Sequence, residues 1–335
     1  MLEERLGRKE VEAGSKLRRL RRTDAIRDML SENRLHVSSL VAPVFVRDGE
    51  HVEEPVASMP GISRYSVDKL SDYVGRLTDV GIRSVLLFGI PDSKDDAGTG
   101  AYSADGPVPR AIRELKSQYP TLVVAADVCL CEYTSHGHCG VLEGGTVSNA
   151  RTLPFLAKAA TQYADAGADI VCPSAMMDGQ VLAIRKALDE SGHEEELLMG
   201  YSAKYASSFY GPFRDAARSA PSFGDRKGYQ MSPANSREAM REIDSDIKEG
   251  ADIVMVKPAL PYLDVISKAR SRHDVPIAAY SVSGEYSMIK ASSAKGWLDE
   301  RGAAMEVATS IKRAGADIII TYFAEQLAVW LREEQ

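Results

Sequence analysis

The sequence predicts an α/β fold: a single (β/α)8 barrel, the TIM barrel, preceded by an extended N-terminal arm. Three observations lead there. Segments 165–171 (DAGADIV), 249–254 (EGADIV) and 313–319 (RAGADII) repeat one grammar, and 79–85 (DVGIRSV) is a looser copy. Each couples an amphipathic helix to a glycine suited to a left-handed C-cap, then, in the three close copies, an aspartate, and in all four a β-branched run. Eight buried-strand candidates alternate with helical segments, and no G-x-G-x-x-G follows the first of them, which sets a dinucleotide-binding sheet aside.

The strand candidates, in order, are 40–46, 84–90, 122–130, 169–174, 197–203, 252–256, 276–282 and 317–322. Each is a short apolar run bounded by turn residues, the pattern of a strand covered on both faces. Helical periodicity falls between them, as at 67–80, 152–166, 236–249 and 303–314. No Pro/Gly/Ser-rich linker interrupts the series, so residues 36–335 read as one catalytic domain and 1–35 as the arm. The arm's first 22 residues are charged throughout and lack the apolar centre of a signal peptide. Its arginine cluster (Arg18, Arg19, Arg21, Arg22) suits either an anion or a solvated arm that orders on a neighbouring subunit.

With 335 residues, 44% hydrophobic and 27% charged, the chain has ample material for a core. A net charge of −7 argues against a nucleic-acid surface, and apolar runs of strand length make no case for a membrane. Three of the four cysteines fall within eleven positions, unlike a secreted disulfide frame. Clustered thiols in a cytoplasmic enzyme more often bind metal.

Barrel chemistry sits at the C-terminal ends of strands. That rule collects Asp127 and the cysteines after the third strand, Lys204 after the fifth, Lys257 after the sixth, Ser283 after the seventh and Tyr322 at the eighth. Cys129, Cys131 and Cys139 lie in one loop with His136 and His138, and a turn at Gly137 can return Cys139 to the other two. Three thiolates suit zinc and leave a fourth position for water or substrate; the alternative is three reduced loop cysteines. Cys172, inside the fourth strand, suits packing. Lys204 and Lys257 close apolar strands, where desolvation and a second ammonium lower an amine's pKa toward that of a carbonyl nucleophile. Alternatively each snorkels to solvent or pairs with Asp127 or Asp178. The long stretch 205–230, aromatic and glycine-punctuated, carries Arg214, Arg218 and Arg226. It suits a lid over an anionic substrate, or else a surface excursion held by ion pairs.

At these residues the chain resembles the porphobilinogen synthase (5-aminolevulinate dehydratase) family, from about residue 20 to the C-terminus, most specifically at 127–140, 201–217, 223–230, 255–264 and 280–286. The resemblance implies a zinc-dependent lyase that joins two 5-aminolevulinate molecules with loss of two waters, on the tetrapyrrole and heme pathway. It implies that Lys257 (in M-V-K-P) forms a Schiff base at the P site and Lys204 (in Y-S-A-K) another at the A site. By the same resemblance Cys129, Cys131 and Cys139 hold zinc, and Arg214, Arg226 and Gln230 bind the A-site carboxylate. Ser283 and Tyr322 bind the P-site carboxylate, while Asp127, Ser174, Tyr210 and Tyr280 line the site. Glu242 matches the glutamate of an allosteric magnesium site found in part of the family, and the family's habit is a homo-octamer. The segment after the fourth strand departs from the usual A-P-S-D-M-M-D-G-R: it has Ala175 in place of an acid and Gln180 in place of an arginine that serves at a subunit boundary. A class I aldolase would need neither the second lysine nor the cysteines, and a non-catalytic zinc protein would leave both lysines unexplained.

Overall fold

Buried on both faces, the apolar runs pair in parallel and close on themselves. In the computed structural model, which describes residues 16–333, the strands are β1 (Leu40–Arg47), β2 (Ser84–Ile90), β3 (Val123–Val128), β4 (Ile170–Pro173), β5 (Leu197–Lys204), β6 (Ile253–Lys257), β7 (Ile277–Ser281) and β8 (Ile318–Thr321). Each is parallel to the next, and β8 returns to β1 through Leu40↔Ile319 and Val41↔Ile320. Helices Val67–Asp79, Pro107–Gln118, Asn149–Asp165, Gln180–Glu190, Arg237–Glu249, Leu263–Arg272, Glu300–Ala314 and Ala324–Glu333 follow the eight strands in turn. The first shows how they dock: Leu70, Val74 and Leu77, three and four residues apart, are fully buried. A short antiparallel ribbon, Glu53–Pro55 with Ser63–Tyr65, adds to the rim end of β1.

The repeat has a structural reason. Its glycines, Gly81, Gly167, Gly250 and Gly315, all adopt positive φ between 91° and 118° at helix ends. The aspartates then reach across to the strand before: Asp169 Oδ2 accepts from Val124 N–H (2.7 Å), Asp252 Oδ2 from Leu198 N–H (2.8 Å) and Asp317 Oδ2 from Ile277 N–H (2.9 Å). The motif therefore precedes β4, β6 and β8, so its unit is a pair of strands, a quarter of the barrel. Before β2 the aspartate is replaced by Arg83, which is why that copy looked loose. Asp252→Ala strands the Leu198 amide at the foot of β5. Urea denaturation is expected to show a loss of about 1–2 kcal/mol at unchanged m-value.

The chain divides into two units, Met1–Arg34 and Leu35–Gln335. Residues 1–15 of the expected arm lie outside the described residues. The described part of the first unit holds a 3-10 turn, Leu17–Arg21, and a helix, Asp24–Met29, capped by Thr23 Oγ1, which accepts from Ile26 N–H. Its Leu17, Leu20, Met29 and Leu30 side chains are exposed. Among the described residues no helix is long and apolar enough to cross a membrane.

Four expected C-terminal strand ends move inward, those at 130, 174, 282 and 322, and two of them bear on the site. β3 stops at Val128 rather than 130, because Leu130 O turns back to accept from Tyr133 and Thr134 N–H. β7 stops at Ser281, and Ser283 opens a helix, Ser283–Ala294, instead of ending a strand.

Candidate active site

Lys204 and Lys257 are cross-strand partners at the ends of β5 and β6. A bulge makes them so: Val254 pairs with Gly200, but Val256 pairs with Ala203, so β5 carries one extra residue. Without it Lys257 would stand opposite Ala203, with Lys204 one pleat out of phase. Both lysines are buried, at 6% and 5% exposure, and neither forms an ion pair among the described residues, so snorkelling and pairing with Asp127 or Asp178 are both set aside. Lys204 Nζ donates to Ser174 O at 2.6 Å. Lys257 Nζ sits in an aromatic box, 4.1 Å from the Tyr280 ring centre, 4.9 Å from Tyr201 and 5.1 Å from Phe213. Burial first, and the Lys204 ammonium second, bring the Lys257 amine down to about 7, against the pull of Asp127. Asp127 itself is pushed up by burial, with both lysines opposing, and its Oδ2 accepts from Ser174 Oγ at 2.8 Å.

The cysteines meet although the strand does not carry them. Cys129, Cys131 and Cys139 are buried with their sulfurs within 4.8 Å of one another, Cys129 and Cys131 at 3.3 Å. Tetrahedral zinc with bonds of about 2.3 Å would separate its sulfurs by about 3.8 Å, so the trio fits that ion with small adjustments. Neither histidine of the loop is free to join. His136 Nδ1 accepts from His138 N–H at 3.1 Å and its Nε2 faces Asp96 O at 3.3 Å. His138 uses both ring nitrogens on the lid, at Tyr229 Oη and Phe223 O. Cys172 is buried inside β4, as packing requires.

The lid is pinned at its base, where Ala206 N–H donates to Met231 O and Met231 N–H to Lys204 O. Between those points run a 3-10 turn, Ser208–Tyr210, and a short helix, Gly211–Ala216. Arg64, from the ribbon, clamps the helix end by donating to Ala216 O (2.6 Å) and Asp215 O (2.8 Å). Arg214 and Arg226 line one cavity with Phe88, Asp127, Cys131, Glu132, Ser174, Lys204, Tyr210, Phe213 and Lys257. Burial, with the Arg226 charge beside it, lowers Arg214. Arg214 Nε, Arg226 Nε and both amide atoms of Gln230 are buried without a hydrogen-bond partner among the described residues. Orphaned donors around a cationic pair are what a carboxylate ligand would satisfy.

The P-site candidates are placed differently. Ser283 Oγ accepts from Phe213 N–H (2.9 Å) and donates to Phe209 O (3.2 Å), so the lid backbone occupies it. Tyr280 Oη donates to Tyr322 Oη at 3.0 Å, and Tyr210 Oη donates to Lys257 O at 3.2 Å. Gln230, Ser283, Tyr280 and Tyr322 stand outside the cavity lining in this closed arrangement. Only about 20 Å³ is left free, room for a water but not a substrate. Four further residues at the site went unassigned in the sequence: Glu132, Phe88, Phe213 and Tyr201. Glu132 is buried with Oε2 3.2 Å from Cys131 Sγ, and burial together with Cys131 holds its carboxyl well above the usual range. Its place next to Cys131 was its one visible signal.

Glu242 lies away from this mouth, on the helix Arg237–Glu249. It lines a groove of about 1260 Å³ with Asp178, Gln180, Glu238, Asp246 and Glu249. Burial, then Asp178 and Glu238, raise its carboxyl. Among the described residues the cysteine trio is the one cluster of three ligand groups within 4.8 Å, so Glu242 and its neighbouring carboxylates form no such cluster. Ala175 is fully buried, and Gln180 is nearly so, donating through Nε2 to Pro173 O.

A closed barrel that buries two amines in register, beside a thiol trio and under an arginine lid, defines an enzyme of the lyase class. The comparisons agree. The profile of the family "Delta-aminolevulinic acid dehydratase" matches residues 14–330. A relative of that name from Halalkalibacterium halodurans is 53% identical over 318 residues, covering 95% of this chain and 97% of that one. One from Bacillus subtilis is 52% identical over 316 residues, covering 94% and 98%. A crystal structure of delta-aminolevulinic acid dehydratase (porphobilinogen synthase) from Toxoplasma gondii, in complex with the reaction product porphobilinogen, superposes with a TM-score of 0.93 at 47% identity, covering 95% of this chain and 92% of that one. The chain belongs to the delta-aminolevulinic acid dehydratase family.

Proposed function

We propose that this chain condenses two molecules of 5-aminolevulinate into porphobilinogen with loss of two waters, a step of tetrapyrrole and heme biosynthesis. The observation that carries this is the pairing of two buried lysines at one rim. One imine needs one lysine; two amines in register suit two ketones held side by side. Lys257, whose amine burial brings down to about 7 and which is therefore neutral above that pH, attacks the ketone carbon of the first substrate, and a water leaves as the C=N bond forms. Lys204 holds the second substrate in the same way, with a second water lost. As the new C–C and C–N bonds form at the two imine carbons, each lysine departs as an amine, so two waters are the net loss. Asp127, which accepts from Ser174 Oγ and interacts electrostatically with both lysines, would offset the positive charge of the iminium groups.

Cys129, Cys131 and Cys139 are proposed to hold zinc, which when bound supplies Lewis acidity to the second substrate. Arg214, Arg226 and Gln230 would take its carboxylate, and Ser283 with Tyr322 that of the first. The lid must lift to admit either, and its rearrangement would release Ser283 from Phe209 and Phe213. We further propose magnesium at Glu242, held mostly through water as that ion prefers, a homo-octameric assembly, and a cytoplasmic location. Colorimetric assay of pyrrole from 5-aminolevulinate, with and without zinc, tests the activity. Borohydride trapping is expected to place a mass increment on Lys257. Zinc-loaded protein that makes no pyrrole and traps nothing would sink the proposal.

The pH dependence of trapping is a further expectation. Lysine in water titrates near 10.5, but Lys257 near 7 is already neutral above that. The trapping rate on Lys257 should rise through pH of about 7 and level off above it. In Lys204→Met one of the causes that lower the Lys257 amine is removed, so the limb should move to higher pH. A limb that stays put would show that Lys204 does not tune its neighbour.

A further inference from the structure

Residues 136–139 of the cysteine loop are bound to the lid. Gly137, at φ +70°, lies so close that a Cβ there would sit 2.3 Å from Ala220 O. Ser222 N–H donates to His136 O at 3.0 Å, and Arg226 Nη2 donates to Gly137 O at 2.9 Å. His138 is central. Phe223 O, 3.1 Å from Nε2, can only accept, so Nε2 carries the proton. Nδ1 lies 3.0 Å from Tyr229 Oη, and that same Oη accepts from Cys139 N–H at 3.4 Å. One imidazole thus joins both ends of the segment that presents Arg226 to the backbone of a thiol ligand.

We propose that His138 is a positioning residue that makes the cysteine loop and lid segment 219–230 one cooperative unit, so that metal occupancy of the thiols and closure of the lid are coupled. This rests on the zinc reading above. A metal that draws three thiols together orders 129–139, and an ordered loop offers the lid rigid partners. By linkage the closed lid must tighten the metal by the same factor.

Hydrogen exchange by mass spectrometry, on full-length protein with and without zinc, tests it. In wild type, zinc should slow exchange across 219–230 by about 5–150-fold. In His138→Ala that zinc dependence should vanish although all three cysteines remain. Zinc affinity, measured against a chromophoric chelator, should fall by about 10–100-fold. Tyr229→Phe, which keeps the ring and removes both hydroxyl contacts, should act in the same direction and serves if His138→Ala misfolds. KM for 5-aminolevulinate should rise more than kcat falls, because the lid arginine is displaced rather than the lysines. Wild-type zinc binding with unchanged lid exchange, or variants that keep the zinc dependence, would overturn the coupling. Failure of wild type to take up zinc at all would bring down the metal assignment and this coupling together.

Discussion

Lys257→Met is expected to lower the rate of pyrrole formation by about 10⁴-fold or more, the scale on which loss of a covalent nucleophile acts. Nothing nearby can replace it. Among the described residues the other amine lining the cavity is Lys204, which the proposed mechanism already occupies with the second substrate. The aromatic box of Tyr280, Tyr201 and Phe213 offers no nucleophile of comparable pKa, since burial pushes both tyrosine hydroxyls further up. The substitution removes a buried amine rather than a buried ion pair, so the fold should survive with little change in Tm. Borohydride with 5-aminolevulinate should then leave no adduct at position 257. A variant turning over within tenfold of wild type would remove Lys257 from the chemistry and with it the two-imine mechanism.

Chelation of zinc, or Cys131→Ser, is expected to abolish turnover while the barrel stays folded. The strand ladder closes without the metal loop: β3 ends at Val128, and its partners are β2 and β4 through Leu86↔Ala125 and Asp127↔Cys172. The loop therefore lies outside that ladder, and zinc bound there would add binding energy to a structure already complete. At metal a hundredfold above Kd that energy is about 2.7 kcal/mol, a shift of several degrees in Tm rather than collapse. Circular dichroism and assay on one chelated sample separate the outcomes. Loss of helical signal in step with activity would make the metal structural.

The site depended on spatial convergence, and much of that was legible. Barrel wiring was visible because glycines at helix ends and β-branched runs state it locally, and the rim rule then placed Lys204, Lys257, Asp127 and the cysteines at one mouth. Less legible were contacts made by chain crossing chain. That the His136 ring is held by Asp96 and the His138 ring by the lid depends on Asp96, Phe223 and Tyr229, up to 91 residues away. That Ser283 holds the lid depends on Phe209 and Phe213, 74 and 70 residues distant. Glu132 had no periodic or spacing signature; it is buried beside Cys131 in a cavity that Phe213, Arg214 and Arg226 of the lid also line.

By itself the order of residues determined the barrel, its eight strands and the chemical kinds gathered at its rim, because those follow from local periodicity and strand polarity. Tertiary structure alone decided the phase of the two amines. A one-residue bulge between Gly200 and Ala203 turns Lys204 to face Lys257. Sequence distance cannot register such a slip, because pairing is settled by what the neighbouring strand presents.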